Sequence, residues 1–166
     1  MSETLTTSTK PATRTDLVRA TATKLGAATI VGAAALAIYG AYGDPHAKSN
    51  QKSGVPFLIV IAAVVAVLVF GVLVPRALRA VHAGTPAASR WAAGHGVVAA
   101  LAIPVFWSGI PLVLGTAAIL LGLEGRRSAV RGTSVRSFTV AFVLGLIAVA
   151  GSVAAVILGN TVLSGS

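Results

Sequence analysis

The sequence predicts an all-α fold, a polytopic membrane helical bundle, and three observations predict it. Of the 166 residues, 55% are hydrophobic and only 10% are charged, whereas a soluble domain carries about 25% charged residues to cover its surface. The apolar residues form continuous runs close to the roughly 20 residues that span hydrocarbon. The charges fall between those runs, and most are arginine or lysine. In lipid each run must pair its backbone groups internally, so even those rich in Val and Ile are expected as helices. Five apolar segments result, at about 25–42, 55–74, 92–107, 110–124 and 138–158, the third and fourth forming a tight hairpin.

Residues 1–24 are rich in Ser and Thr and carry Lys10, Arg14, Arg19 and Lys24. They read as a disordered or interfacial basic tail ahead of the membrane domain at 25–158. In the first segment Thr29, Ala33, Ala37 and Ala41 recur every four residues, a small-residue face that lets a neighbour approach closely. The same segment resembles a signal-peptide core, but it is long for one and no clean A-x-A site follows, so an uncleaved anchor is expected. The polar loop at 43–54 holds Asp44 and His46, too few ligands for a zinc site. The second segment is the clearest, with Pro56 expected in its first turn and Pro75-Arg76 at its end.

Arg76, Arg79 and Arg90 follow with no acid among them. Arg76, Arg79 and His82 lie three residues apart, as in a basic interfacial helix that Thr85-Pro86 then breaks. The run from Trp91 to Gly125 would measure about 50 Å as one helix, against roughly 30 Å of hydrocarbon. Pro104, Gly109 and Pro111 interrupt it, with Trp107 beside them, as suits a turn between two arms. The arms are short, so the hairpin either spans fully or dips part-way. Charge favours the fold-back independently. Arg126, Arg127, Arg131 and Arg136 make the next loop strongly basic, and basic loops stay cytoplasmic. Both chain ends are then assigned, the N-terminus inside and the C-terminus outside. The last segment carries two small-residue rows, Ser137/Ala141/Gly145 and Gly151/Ala155/Gly159, before a short uncharged tail at 159–166.

The features Phe106-Trp107-Ser108-Gly109-Ile110-Pro111, Leu114-Gly115, Leu121-Gly122, Arg126-Arg127 and Leu144-Gly145, over about residues 94–158, resemble a family of small actinobacterial multi-pass membrane domains of unknown function. In that family two short helices flank a Pro/Gly turn and a basic loop leads to a further helix. The resemblance implies topology and supplies no catalytic residue. An abundance of Arg, Ala, Gly and Val also fits a GC-rich bacterial genome.

The absence of cysteine removes disulfides and thiolate chemistry. The formal net charge of +9 is read as topogenic charge and attraction to anionic lipid head groups, with Arg76, Arg79, Arg90, Arg126, Arg127, Arg131 and Arg136 as the candidate contacts and no nucleic acid as partner. No nucleophile elbow, phosphate loop or H-E-x-x-H is present, so no catalytic, cofactor or metal residues are assigned. The segments hold no Asp, Glu, Lys or Arg apart from Glu124 at an interface, and the one titratable candidate inside them is His95, about one turn in, expected to meet interfacial water or a backbone carbonyl. The expected function is a non-enzymatic accessory or scaffold subunit of the bacterial cytoplasmic membrane. Its small-residue faces would pack on a second copy or on a larger membrane partner. The alternative is a small transporter or channel subunit.

Overall fold

Proline sets most of the helix boundaries. The computed structural model describes residues 14–43, 49–128 and 134–163. The described residues form helices α1 (Arg14–Tyr42), α2 (Ser49–Leu68), α3 (Val74–His82), α4 (Pro86–Leu101), α5 (Ile110–Arg127) and α6 (Val135–Leu163). A π-helical turn, Val69–Leu73, joins α2 to α3, and a 3₁₀ segment, Ile103–Ser108, follows α4. The all-α reading therefore holds. Three helices are long and apolar enough to cross a membrane: Ala20–Tyr42, Lys52–His82 and Val135–Gly159. Of the two remaining segments, α4 has only 16 residues, and α5 has 18 with Glu124, Arg126 and Arg127 near its end.

Several boundaries differ from those read off the sequence. The first helix begins at Arg14, so the apolar stretch from residue 25 is the later part of a longer rod. Helix α2 begins at Ser49, which puts Pro56 inside it and not in its first turn. Pro56 brings no N–H to the Lys52 carbonyl four residues back, near the polar start of the helix. The second segment does not stop at Pro75 either. Ahead of that proline the ladder loosens, and the Val74 N–H donates to the Val69 carbonyl, five residues back. A π turn widens the helix where a proline ring would otherwise strike the preceding carbonyl, so the rod continues to His82.

At His82 it ends in a Schellman motif. Gly84 takes φ +64°, its N–H donates to Val81, and the Thr85 N–H donates to Ala80. The left-handed step favours glycine and satisfies the orphan carbonyls. Pro86 then opens α4 from Thr85, as suits a residue with no N–H to place. This shifts the third segment from 92–107 to Pro86–Leu101. In a continued helix Pro104 would lack its N–H bond and its ring would strike the Ala100 carbonyl; the helix closes at Leu101 and the chain tightens into the 3₁₀ turn. Gly109, at φ +71°, reverses the backbone before Pro111 helps start α5. Ser108 donates through Oγ to the Val105 carbonyl and accepts from the Ile110 N–H, relieving one orphan donor of the new helix.

The interior is made of small side chains. Ala66, Ala88, Ala92, Ala117 and Ala141 are buried beside Val74, Val113, Leu121 and Phe138, while Val31, Phe57, Val60, Val67, Leu101 and Leu158 face outward. Glycine brings α5 and α6 into backbone contact. A Cβ at Gly115 would lie 2.9 Å from the Gly145 carbonyl oxygen, and one at Gly122 would lie 2.8 Å from that of Phe138. Gly96 of α4 faces Ala141 in the same way. Of the small-residue rows, Thr29, Ala33 and Ala41 on α1 and Ala141 and Gly145 on α6 are buried. Gly159, at the end of the second α6 row, has no neighbour within 4 Å.

Candidate functional site

The arginines gather at one end of the bundle. His82, at the end of α3, lies 3.1 Å through Nε2 from Glu124 Oε1 near the end of α5, and Phe138 near the start of α6 packs on Gly125. These contacts bring the start of α4, the end of α5 and the start of α6 to the same level. Arg76, Arg79, Arg90, Arg126, Arg127 and Arg136 all point outward there. Arg126 also sits over the Phe142 ring, 5.7 Å from its centroid, a contact in which the cation is held by the ring quadrupole. Arg131, Asp44, His46 and residues 1–13 lie outside the described residues.

Glu124 is the buried carboxylate of this end, 6% exposed. Besides His82 it accepts from Ser128 Oγ at 3.3 Å. Sequence reading placed Glu124 at an interface and His82 on a basic helix face, and it missed their pairing. The two are separated by 42 positions, and no local spacing signals a contact that only the return of α5 creates.

His95 is the tenth residue of α4, about two and a half turns in and not one, and is 8% exposed. Its Nδ1 is 2.7 Å from the Trp91 carbonyl oxygen. A carbonyl only accepts, so Nδ1 carries a proton, and in that tautomer Nε2 keeps a lone pair. That nitrogen has no protein partner, yet no side-chain nitrogen or oxygen among the described residues is both buried and unpaired. Nε2 is therefore not fully enclosed, and His95 lines a groove. This groove, of about 560 Å³, runs along α4 past Arg90, Trp91, His95 and Val98, with Leu73 and Leu114 as opposing walls. Its lining is apolar apart from Arg90, His95 and the indole N–H of Trp91.

The turn residues are separate from the groove. Pro104 is exposed, and Gly109 and Pro111 are buried; Trp107 is described in its backbone alone. A Cβ at Gly109 would lie 2.7 Å from that of Ala33 and 3.4 Å from that of Ala62, so the turn leans on α1 and α2. Both helices, and α6 beyond Gly151, continue past it. From Ala33 to Tyr42 is about 13 Å of helix, and from Gly151, which faces Ile103, to Leu163 about 18 Å. The remaining polar side chains inside the helices are satisfied locally. Thr29, Thr116 and Ser152 each donate to the carbonyl four residues back, the usual way for a hydroxyl to sit in an apolar helix. No group of three or more potential metal ligands occurs among the described residues.

No protein-family model, characterised protein or solved structure matches the chain, and the functional reading rests on this geometry.

Proposed function

We propose that the protein is a multi-pass protein of the bacterial cytoplasmic membrane and serves there as a non-enzymatic accessory or scaffold subunit. The observation that carries this is the inverted use of side-chain size. Large side chains such as Val31, Phe57, Val60 and Leu101 face outward, Ala makes up just over half of the buried apolar residues among those described, and glycines close the α5–α6 contact, as expected where lipid surrounds the protein and helices associate by close approach. The arginine end lies in the cytoplasm, which puts the N-terminus inside and the C-terminus outside. On this reading α4 and α5 form a hairpin that enters from the cytoplasmic face and turns back before reaching the far side. The depth of Gly109 against Ala33 and Ala62 supports that choice over a fully spanning pair. The likeness of residues 94–158 to small actinobacterial membrane domains belongs to the same proposal.

The partner is a second copy or a larger membrane protein, seated on outward small residues such as those near Gly159. Crosslinking in native membranes, followed by purification in mild detergent, is expected to yield a stoichiometric partner or a homo-oligomer. A clean monomer in both would overturn the scaffold reading. The second reading, a transporter or channel subunit, draws on the helix break at Ser108–Gly109, since interrupted helices present backbone ends to ions. Flux through reconstituted protein that falls when His95 is changed to Ala would favour it, and unchanged flux would remove its one titratable residue.

A further inference from the structure

The α4 groove has the layout of a binding site for a single lipid chain. Arg90 stands at its mouth, at the arginine end, and has no acidic partner among the described residues. His95 Nε2 lies five positions farther along α4, about 7 Å deeper. Val98, Leu73 and Leu114 form the inner stretch. The order along the groove is therefore a fixed cation, then a hydrogen-bond acceptor, then an apolar slot. Volume is in proportion, since small-molecule sites of about 300–1,000 Å³ are usual.

A ligand complementary to that order carries an anion outermost, a hydroxyl donor next and one hydrocarbon chain last. The geometry points to an anionic lysophospholipid, held with its phosphate on Arg90, its free glycerol hydroxyl donating to His95 Nε2 and its acyl chain along Val98 toward Leu73 and Leu114. An ordinary diacyl lipid meets the first and last demands. It has no hydroxyl between phosphate and chain, because both inner oxygens are esterified. The acceptor would then face hydrocarbon unpaired, which is the costly arrangement for a polar group away from water. With Nδ1 donating to the Trp91 carbonyl, Nε2 in that tautomer is an acceptor, which favours a hydroxyl over a carbonyl at that depth. This inference rests on the membrane placement proposed above.

Trp91 borders the groove and reports its occupancy. Trp91 and Trp107 are the chain's two tryptophans, so full-length W107F protein in nanodiscs of zwitterionic lipid leaves one fluorophore. Its quenching is titrated with chain-brominated lysophosphatidylglycerol, phosphatidylglycerol, lysophosphatidylcholine and a lysophosphatidylglycerol analogue lacking the glycerol hydroxyl. The expected result is saturable quenching by lysophosphatidylglycerol at the lowest concentration. Removing the hydroxyl from the ligand weakens binding roughly three- to tenfold, as for loss of one hydrogen bond. H95F protein no longer distinguishes the two, and R90Q weakens binding of both about fivefold. The analogue tests unaltered groove residues, so a variant that fails to fold does not obscure the result. Equal, non-saturating quenching by all four lipids, or equal binding of the analogue by protein with His95 intact, overturns the site while leaving the membrane reading standing. Failure of the chain to enter nanodiscs at all, or its extraction from cell membranes at alkaline pH, overturns the membrane reading instead.

Discussion

At Gly109 two constraints coincide on one residue. Its φ of +71° is a conformation that side chains with a Cβ rarely adopt, and a methyl there would also press on Ala33. Gly109→Ala should therefore lower stability by about 1–3 kcal/mol. Gly159→Ala, which would meet open space within a helix, should leave stability unchanged or raise it slightly. Unfolding of both variants in mixed micelles measures the contrast, and equal stability of the pair would remove the strain argument. Glu124 poses a different problem, because its carboxylate is buried and shared by His82 and Ser128. Glu124→Ala should cost about 1–3 kcal/mol. His82→Ala combined with it should cost less than the sum, since either change removes the same contact. Full additivity in that double-mutant cycle would show that the contact holds nothing together. His95 was the residue most legible in advance. A helical histidine has a carbonyl four positions back within reach, and of the two partners expected, interfacial water or a backbone carbonyl, the Trp91 carbonyl is the one found at its Nδ1. Which way its second nitrogen faces was not legible, since three separate segments build the groove.

Among the elements, α5 and α6 are the closest pair, and glycine is the reason. Gly115 and Gly145 each sit against the other's carbonyl, and Gly122 sits against the backbone of Phe138 and Phe142. Nothing flexible lies in the way that might yield to a larger side chain. Gly122→Val should separate the helices at a cost of about 1–3 kcal/mol or more, whereas Gly94→Ala, with no neighbour in reach, should be tolerated. Protease sensitivity and unfolding in micelles read the difference; similar behaviour of the two would mean that close approach is not what holds α5 to α6. Sequence reading found the α6 row that includes Ala141 and Gly145, because spacing of four is visible in one dimension. It found no partner for that row, because which helix approaches depends on the turn. The breaks at Thr85-Pro86 and at Pro104, Gly109 and Pro111 were legible as breaks, although α4 between them runs over Pro86–Leu101 and not 92–107. Helix ends were misread at Pro56 and Pro75, where the helix absorbs the proline through a polar end or a π turn instead of stopping.

For the molecule as a whole, the depth of the turn decides how the surface is divided between water and lipid. The all-helical character was legible in the long, nearly uncharged apolar runs, three of which lie in helices long and apolar enough to cross a membrane. Composition could not fix how far the short pair of helices reaches, because arms of about 24–27 Å suit a full crossing of a thin bilayer or a partial dip equally well. The packing of Gly109 against the middle of α1 and α2 favours the partial dip, and a chain without native thiols permits a direct test. Single cysteines at Ser53, Ser108, Ser128 and Thr161 are exposed in whole cells to an impermeant thiol reagent. Ser53→Cys and Thr161→Cys should react at once, since both positions are exposed at the end opposite the arginines. Ser128→Cys, beside Arg126 and Arg127, should react only after the cells are opened. Ser108→Cys should react slowly under either condition, being nearly buried and about 13 Å of helix short of the end of α1. Rapid external labelling at position 108 would mean that the turn reaches the outer water and that both arms cross. External labelling at position 128 would invert the orientation altogether, moving the arginine end, and with it the mouth of the groove, to the opposite leaflet.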